Sequence, residues 1–387
     1  MDSVTLIATA KFGLEAVVKR EVLALGFDEV RVSEGRVAFT SSLDGIPRAN
    51  LWLRCADRVL LQVGEFPAVT FNDLFEQTRA LPWERWIPPD GRFPVNARAV
   101  RSTLQSERSS QAIVKKAVAA RLSTAYGGAL LPETGADYGI QVTIRQDRAL
   151  LAIDTSGDGL HKRGYRAEAG AAPLTETLAA ALVMLSFWGT DRLLIDPMCG
   201  SGTILIEAAM IGRRMAPGLR RAFAAERWPA VGAELWQKAR EAATATIDRS
   251  VELSIFGYDW DAEAVRIAKQ NAELAGVGDD ITFEQKALED LWIDREHGIL
   301  ISNPPYGQRM ADFQQINQLY ITLNKMMRKK RGWSVYILTA DPKFPDYFKR
   351  GRPDRVRKLF NGNIRVDYYQ YHGERQEVPS PRPSGSN

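Results

Sequence analysis

Cysteine and histidine are scarce: the 387 residues hold two cysteines, Cys55 and Cys199, and three histidines, His161, His297 and His372. Two cysteines so far apart make neither a disulfide framework nor a paired metal motif. A reducing, intracellular setting is the default expectation, and with the histidines scattered, no metal is expected. Long apolar runs are also missing. The most apolar helical stretch, Leu178 to Trp188, is too short to span a bilayer and reads as a buried core helix. The opening residues carry no basic segment followed by an apolar core, so no signal peptide is expected and the cytoplasm is. Nor is there a large excess of one charge. The net value of +4 means that any affinity for polyanions must be argued from where basic residues cluster. This length accommodates two or three domains with cores of their own.

What is present falls into two rhythms. Residues 4–40 read strand, helix, strand, with Gly26 ending the helix Leu14 to Leu25 and Glu34-Gly35 breaking the run Val30 to Phe39. Asn50 to Glu65 reads helix then strand. Thr70-Phe71-Asn72-Asp73 caps a helix that ends near Leu81-Pro82-Trp83. Phe93 to Val100 is a strand, Ser109 to Tyr126 an amphipathic helix, and Ile140 to Ile144 and Ala149 to Asp154 are strands joined at Gln146-Asp147. The pattern is a small α+β region without internal repeats. Gly157 to Pro173, rich in glycine and charge, reads as a linker or crossing loop. Beyond it a βαβ rhythm predicts a parallel sheet, with strands at Arg192 to Asp196, Leu253 to Asp259, Ile281 to Gln285, Ile299 to Asn303 and Ser334 to Thr339. Asn361-Gly362 signals a hairpin, and Glu374 to Asn387 is expected to be disordered.

Chemistry concentrates at the ends of three of these strands. Asn303-Pro304-Pro305-Tyr306-Gly307 follows the apolar run Gly298 to Ser302. Two prolines in succession force a stiff turn out of the strand. Such a turn can position a planar exocyclic amine for attack on an electrophile. The Asn303 side-chain oxygen and the Pro304 carbonyl accept its two N–H bonds, and Tyr306 stacks on its plane. The work is orientation and needs no strong base.

Asp196-Pro197-Met198-Cys199-Gly200-Ser201-Gly202-Thr203 joins a strand to a helix. Its glycines let a ligand approach the backbone at a helix N-terminus, and an acid four residues ahead suits a ligand with positive charge, such as the ammonium and sulfonium of S-adenosylmethionine. Cys199 reads as a small loop residue rather than a nucleophile. The next strand ends Tyr258-Asp259-Trp260-Asp261, where Asp259 stands at the usual place for holding ribose hydroxyls and Asp261 reads as a helix N-cap. Between the loop and Asp259 lie more residues than one crossover requires. They read as a helical insertion whose Trp228 and Trp236 are expected in a core.

The order Asp-x-x-x-Gly-x-Gly, strand-end acid, Asn-Pro-Pro-Tyr resembles the class I methyltransferases that use S-adenosylmethionine. With Gly307-Gln308-Arg309 and the join His161-Lys162-Arg163-Gly164-Tyr165-Arg166 … Pro173-Leu174-Thr175-Glu176-Thr177, the chain resembles the bacterial THUMP-containing RNA guanine-N2 methyltransferases, those of large-subunit ribosomal RNA above all. The resemblance implies a Rossmann-like α/β methyltransferase domain with a mostly parallel seven-stranded sheet, preceded by an α+β ferredoxin-like and THUMP region. The boundaries expected are a ferredoxin-like lobe over 1–45, a THUMP domain over 46–156, a linker over 157–174, a methyltransferase domain over 175–373 with an insertion at about 213–250, and a tail over 374–387.

It also implies the site. Asn303, Pro304 and Tyr306 would handle the amine. Asp196, Met198, Gly200, Gly202, Thr203, Thr175, Glu176, Asp259, Trp260 and Ala287 would hold the cofactor. At the third strand end the family usually carries an acid beside the adenine, where this chain has Lys286; the Ala287 backbone, Glu289 or Asp290 are the substitutes. RNA phosphates are assigned to Arg98, Arg101, Lys115 and Lys116 in one cluster, with Arg108 and Arg121 beside them. A second cluster spans Lys325 to Lys358, twelve Lys/Arg against three acids, and includes Arg328, Lys329 and Lys330; Arg309 joins the set. The expected reaction is methylation of a guanosine N2 amine in ribosomal RNA. Transfer RNA, adenine N6 and protein glutamine are the alternative substrates, and oligomeric state is left open.

Overall fold

Strand-forming runs of apolar and β-branched residues separated by capped helices build the first part of the chain. The computed structural model describes residues 3–128, 130–166, 174–305 and 310–374, with side chains from 314 onward in the last segment. Tyr306, Arg309, the middle of the expected linker and the tail beyond residue 374 lie outside the described residues. Two compact units result, one of Met1–Gly164 with Arg214–Asp248, the other of Tyr165–Arg213 with Arg249–Asn387.

The first unit contains β1 (Val4–Ala10), α1 (Glu15–Ala24), β2 (Asp28–Ser33), β3 (Arg36–Ser41), α2 (Gly45–Trp52), β4 (Ala56–Pro67), α3 (Phe71–Ala80), β5 (Val95–Val100), α4 (Glu107–Ala125), β6 (Ile140–Arg145) and β7 (Arg148–Asp154). Its strands form one seven-stranded sheet in the order β2-β3-β1-β4-β7-β6-β5, so a single sheet runs through both N-terminal segments. Local signals act where the sequence places them. Thr70 and Asp73 form a reciprocal capping box at the start of α3. Gln146 and Asp147 take positive φ, 49° and 60°, in the two-residue turn between β6 and β7.

The second unit begins with α5 (Glu176–Met184), β8 (Leu194–Asp196) and α6 (Thr203–Gly212). The chain then returns to the first unit for α7 (Ala233–Ala245). The insertion, read in the sequence as part of the methyltransferase domain, packs within the first unit because its aromatic residues find their partners there. Trp228 is buried, stacks on Tyr138 at 4.7 Å and donates its indole N–H to the Asp137 carbonyl at 2.8 Å. Trp236 is buried against Phe223 at 5.2 Å. The expected linker is fixed as well, as far as Gly164. The Arg221 guanidinium donates to the carbonyls of Ser156, Asp158, Gly159 and Lys162 at 3.3, 2.7, 2.5 and 3.1 Å. At Gly164 a Cβ would stand 2.8 Å from the Arg220 carbonyl.

The second unit resumes with β9 (Ile255–Asp259), α8 (Ala262–Ala275), β10 (Thr282–Gln285), β11 (His297–Ser302), α9 (Met310–Met327), β12 (Gly332–Thr339), α10 (Phe344–Phe348), β13 (Arg355–Asn361) and β14 (Ile364–Tyr371). Its sheet has the order β10-β9-β8-β11-β12-β14-β13. The first five strands are mutually parallel, and β14 runs antiparallel to both β12 and β13. Leu300, Val335 and Ile337 of the central strands pack with Ile316, Tyr320 and Leu323 of α9 and Phe344 and Phe348 of α10. Among the described residues, no helix is long and apolar enough to cross a membrane.

Core status of the insertion has a measurable consequence. Trp228→Ala should lower unfolding stability by about 3–5 kcal/mol, as removal of a buried aromatic does. Trp292→Ala, at a side chain 86% exposed, should change it by less than about 0.5 kcal/mol. Denaturant titration of the two variants checks the contrast.

Candidate active site

In a parallel sheet every strand delivers its last residue to the same edge, and the connecting helices return the chain to the other. Here that edge collects Asp196 from β8, Asp259 from β9, Gln285 from β10 and Ser302-Asn303 from β11. The strand order turns at β8, flanked by β9 and β11, and a crevice at such a switch point is where ligands bind in open α/β sheets.

Asp196 is almost fully buried. Its Oδ1 accepts from the Ser302 hydroxyl at 2.7 Å and from the Met198 N–H at 3.1 Å. Burial drives its carboxyl up to about 7, against the opposing effect of those two donors, and nearby Asp259 adds to the rise. The loop that follows is pinned from three sides. The Cys199 N–H donates to the Tyr258 carbonyl at 2.8 Å, the Gly200 N–H to Asp259 Oδ2 at 2.9 Å, and the Asn271 amide to the Ser201 carbonyl at 3.2 Å. Gly200 and Gly202 have φ of 51° and 78°. A Cβ on Gly202 would stand 3.0 Å from Phe283 and 3.1 Å from Ala268, so the turn requires glycine there. The Cys199 thiol is buried, and burial pushes it well above its ordinary value. Burial and a raised pKa hold it in the thiol form, which disfavours nucleophilic attack.

Asp259 also accepts from the Asp261 N–H at 3.1 Å, so its carboxylate shapes the glycine loop in addition to anything it offers a ligand. Asp261 caps α8 by accepting from the Glu263 N–H at 2.9 Å. Trp260 projects with 75% of its surface exposed. The Lys286 N–H donates to the Asp259 carbonyl at 2.8 Å, which sets the half-exposed Ala287 just past the same strand ends. Thr175 precedes α5 and Glu176 begins it. The residue that brings this helix to the loop is Arg166: it donates to Thr203 Oγ1 at 3.0 Å and the Leu174 carbonyl at 2.9 Å, and its Nε lies 3.5 Å from Glu176 Oε1. The sequence named Arg166 only within the join. Ser302 was not singled out at all, although it is the residue immediately before Asn303. Asn303 is half-buried and Pro304 buried.

The basic residues fare differently. Lys115 holds both oxygens of Glu133 at 2.6 Å, donates to the Phe93 carbonyl at 3.1 Å and lies 3.5 Å from the centre of the Phe93 ring. Arg121 is paired with Glu84, one of its bonds being Nε to Oε2 at 2.9 Å. Both cations are engaged in ion pairs within the first unit, with about a third of each side chain still open. Arg98, Arg101 and Lys116 are exposed, with Lys116 Nζ 5.9 Å from the Phe75 ring centre. Arg328, Lys329 and Lys330 lie between α9 and the first residue of β12, hence at the sheet edge opposite Asn303, roughly 20 Å away along the strands. Lys330 donates there to the Arg295 carbonyl at 3.3 Å. They do not surround a base at Asn303. Arg350, counted in the same cluster, donates to the carbonyls of Met327, Lys330 and Trp333 at 3.0, 3.0 and 2.6 Å and so closes the end of α9.

A buried acid at one strand end, an acid at the next, a glycine turn with room for close approach and an exposed indole beside it fit S-adenosylmethionine, which is cationic at one end and aromatic at the other. Among the described residues, no cluster of His, Cys, Asp and Glu could hold a metal ion. Fold and site together define a class I S-adenosylmethionine-dependent methyltransferase. The chain belongs to the RMKL-like methyltransferase family, whose methyltransferase domain matches residues 163–370. Residues 5–60 match the RlmL ferredoxin-like domain and residues 68–154 the THUMP domain.

Among its relatives is Bacillus subtilis YpsC, provisionally named an RNA methyltransferase, 47% identical over 96% of each chain. Another is the ribosomal RNA large subunit methyltransferase K/L of Syntrophotalea carbinolica, 35% identical over 94% of this chain and 53% of the relative, so this chain spans about half of that protein's length. A Listeria monocytogenes crystal structure, described provisionally as an N6-adenine-specific DNA methylase, superposes with a TM-score of 0.93 at 47% identity over 97% of both chains. SMU.472, provisionally described as a methyltransferase and crystallised with SAH, superposes with a TM-score of 0.91 at 42% identity, over 97% of this chain and all of the other.

The buried acid gives the ligand-free protein a pH signature. Native Asp196 binds its proton more tightly than it does in the unfolded chain, so its contribution to stability is complete below the ordinary value of 3.8 and is lost as pH rises towards about 7. Asp196→Asn should therefore gain on the wild type between about pH 5 and about pH 7, by no more than about 1.4 kcal/mol per pH unit. Denaturant unfolding of both proteins across that range measures the difference.

Proposed function

We propose that this protein transfers a methyl group from S-adenosylmethionine to the exocyclic N2 amine of a guanosine in RNA, with large-subunit ribosomal RNA as the first substrate to test. The observation that carries the reading is the bond from Ser302 to Asp196. It ties the strand that ends in Asn303-Pro304 to the strand that opens the cofactor loop, so an amine held by that turn lies beside the cofactor. The cofactor supplies the electrophilic methyl group. Asn303 offers a side-chain oxygen and Pro304 its carbonyl, two acceptors for the two N–H bonds of a planar amine. A base inside a helix cannot reach them, so the target is unpaired or flipped. Asp196 faces the cationic part of the cofactor, Asp259 takes ribose hydroxyls while holding the Gly200 N–H, and Trp260 covers the adenine.

The THUMP match and the RNA relatives support RNA over DNA, and Arg98, Arg101 and Lys116 remain as exposed cations to hold its phosphates. Such a substrate places the enzyme in the cytoplasm. The second reading is N6 methylation of adenine, favoured by the description of the Listeria structure and by a turn that accepts any planar amine. Nucleoside mass spectrometry on RNA from strains with and without the gene separates them. N2-methylguanosine that disappears with the gene supports the first; loss of N6-methyladenosine alone replaces it with the second.

Two variants test the roles. Asn303→Ala should leave SAH affinity near that of the wild type and lower turnover by on the order of a hundredfold or more. Trp260→Ala should weaken SAH binding by about 1–3 kcal/mol, the usual loss for a base stacked on an aromatic side chain. Calorimetry and initial rates report both. An Asn303 variant that turns over normally when saturated with cofactor removes Asn303 from the amine site.

A further inference from the structure

The antiparallel pair at the end of the second sheet is longer than the strand it is built on. The last residue of β12, Thr339, pairs with Asp367 of β14. Past that level β14 and β13 continue alone through Val366↔Leu359, Arg365↔Phe360 and Ile364↔Asn361, and Gly362, with φ of 61°, makes the two-residue turn. Three further residue pairs rise roughly 10 Å above the strand end. They rise on the active-site edge, because Ser302 of β11 is in register with Ile337 of β12, which sets Asn303 about one residue below Thr339. Two strand spacings, about 10 Å, separate β11 from β14. The hairpin is therefore a wall beside the place where the target amine is held.

Its chemistry is not that of a neutral edge. Lys358 and Arg365 are exposed on it, with 58% of the Arg365 side chain open. Lys343, in the loop after β12, is exposed at the same edge. The acid nearest to Arg365 is Asp367 at 3.5 Å; the Asp367 side chain is largely buried, while most of the Arg365 side chain stays open to a ligand. Ile364 is 43% exposed at the tip. Lys358 pairs with Asp367 and Arg365 with Phe360, which puts both cations on one face of the ribbon and Ile364 on the other. Two cations on one face, standing one nucleotide's length from the reacting base, suit a sugar–phosphate backbone.

We propose that the β13–β14 hairpin is a substrate-positioning wall, with Lys358 and Arg365, on one face of it, holding phosphates of the RNA strand that carries the target base. This rests on the RNA reading above. The test uses the full-length protein, ribosomal RNA from a strain lacking the gene, and a radiolabelled methyl donor. Lys358→Glu and Arg365→Glu should each raise KM for RNA about five- to tenfold, with kcat within about twofold and SAH affinity unchanged. The slope of log RNA affinity against log salt should fall by roughly 0.7–0.9 for each phosphate no longer held. Arg365→Lys, which keeps the charge, should recover most of the loss.

Variants with wild-type KM and salt slope overturn the proposal. So does unaltered RNA kinetics accompanied by self-association in light scattering, since the charges would then be guards against edge pairing. Wild-type protein that binds SAH but methylates none of this RNA overturns the substrate reading itself. Active wild type with equally active variants overturns the hairpin alone.

Discussion

One buried hydrogen bond, from Ser302 to Asp196, holds the site together. A carboxylate inside a sheet is costly to ionise, and the fold answers with two donors on one oxygen and, among the described residues, no cation. The remaining deficit is what lifts the carboxyl to about 7. A ligand that brings positive charge to this place stabilises the ionised form and is selected by it. The same bond fixes the end of β11, so this buried acid also sets the height of the Asn303-Pro304 turn. Electrostatics and geometry are thus coupled through one hydroxyl. Replacing it by an apolar group would leave the turn in place only as far as the two prolines hold it.

A second constraint is covalent. The chain enters the second unit after Gly164, leaves it after Arg213 and re-enters it after Asp248. Arg221, in the returning segment, satisfies four carbonyls of the stretch Ser156 to Lys162, and Trp228 lies on Tyr138. A planar guanidinium with five donors suits a loop whose carbonyls have no strand to pair with. The stretch that composition marks as a linker is therefore ordered structure of the first unit up to Gly164. Cutting the chain near Gly157 would strip the insertion of Tyr138, on which Trp228 stacks.

Motifs that work through backbone geometry were legible in the sequence. Glycines at positive φ, a capping box at Thr70 and Asp73, the N-cap at Asp261 and the turn at Gln146-Asp147 are local, and their residue types state their conformations. The parallel sheet was legible from the βαβ rhythm, although β8 is shorter than its apolar run suggests. Partners distant in sequence were not legible. Nothing near Ser302 announces a bond to a residue 106 positions away, nothing in Arg166 foretells that it joins α5 to α6, and the aromatic residues of the insertion do not name the unit that will bury them. Tertiary partners are set by the topology, and the topology is not written locally.

Charge was the least legible property, for a physical reason. A lysine or arginine counted in a window can neutralise an acid, satisfy carbonyls or face solvent, and only the fold decides. Lys115, Arg121 and Arg350 are consumed by Glu133, Glu84 and the end of α9. Arg328 and Lys329 keep their charge exposed, at the edge of the sheet opposite Asn303. Among the described residues, the cations near the turn include Lys358 and Arg365 of the hairpin that outgrows its neighbour and Lys343 in the loop after β12. A net charge of +4 is enough for a polyanionic substrate when the free cations stand within a nucleotide of the chemistry. Affinity drawn from phosphate contacts depends on which charges remain unpaired and where they are, far more than on their number in the chain.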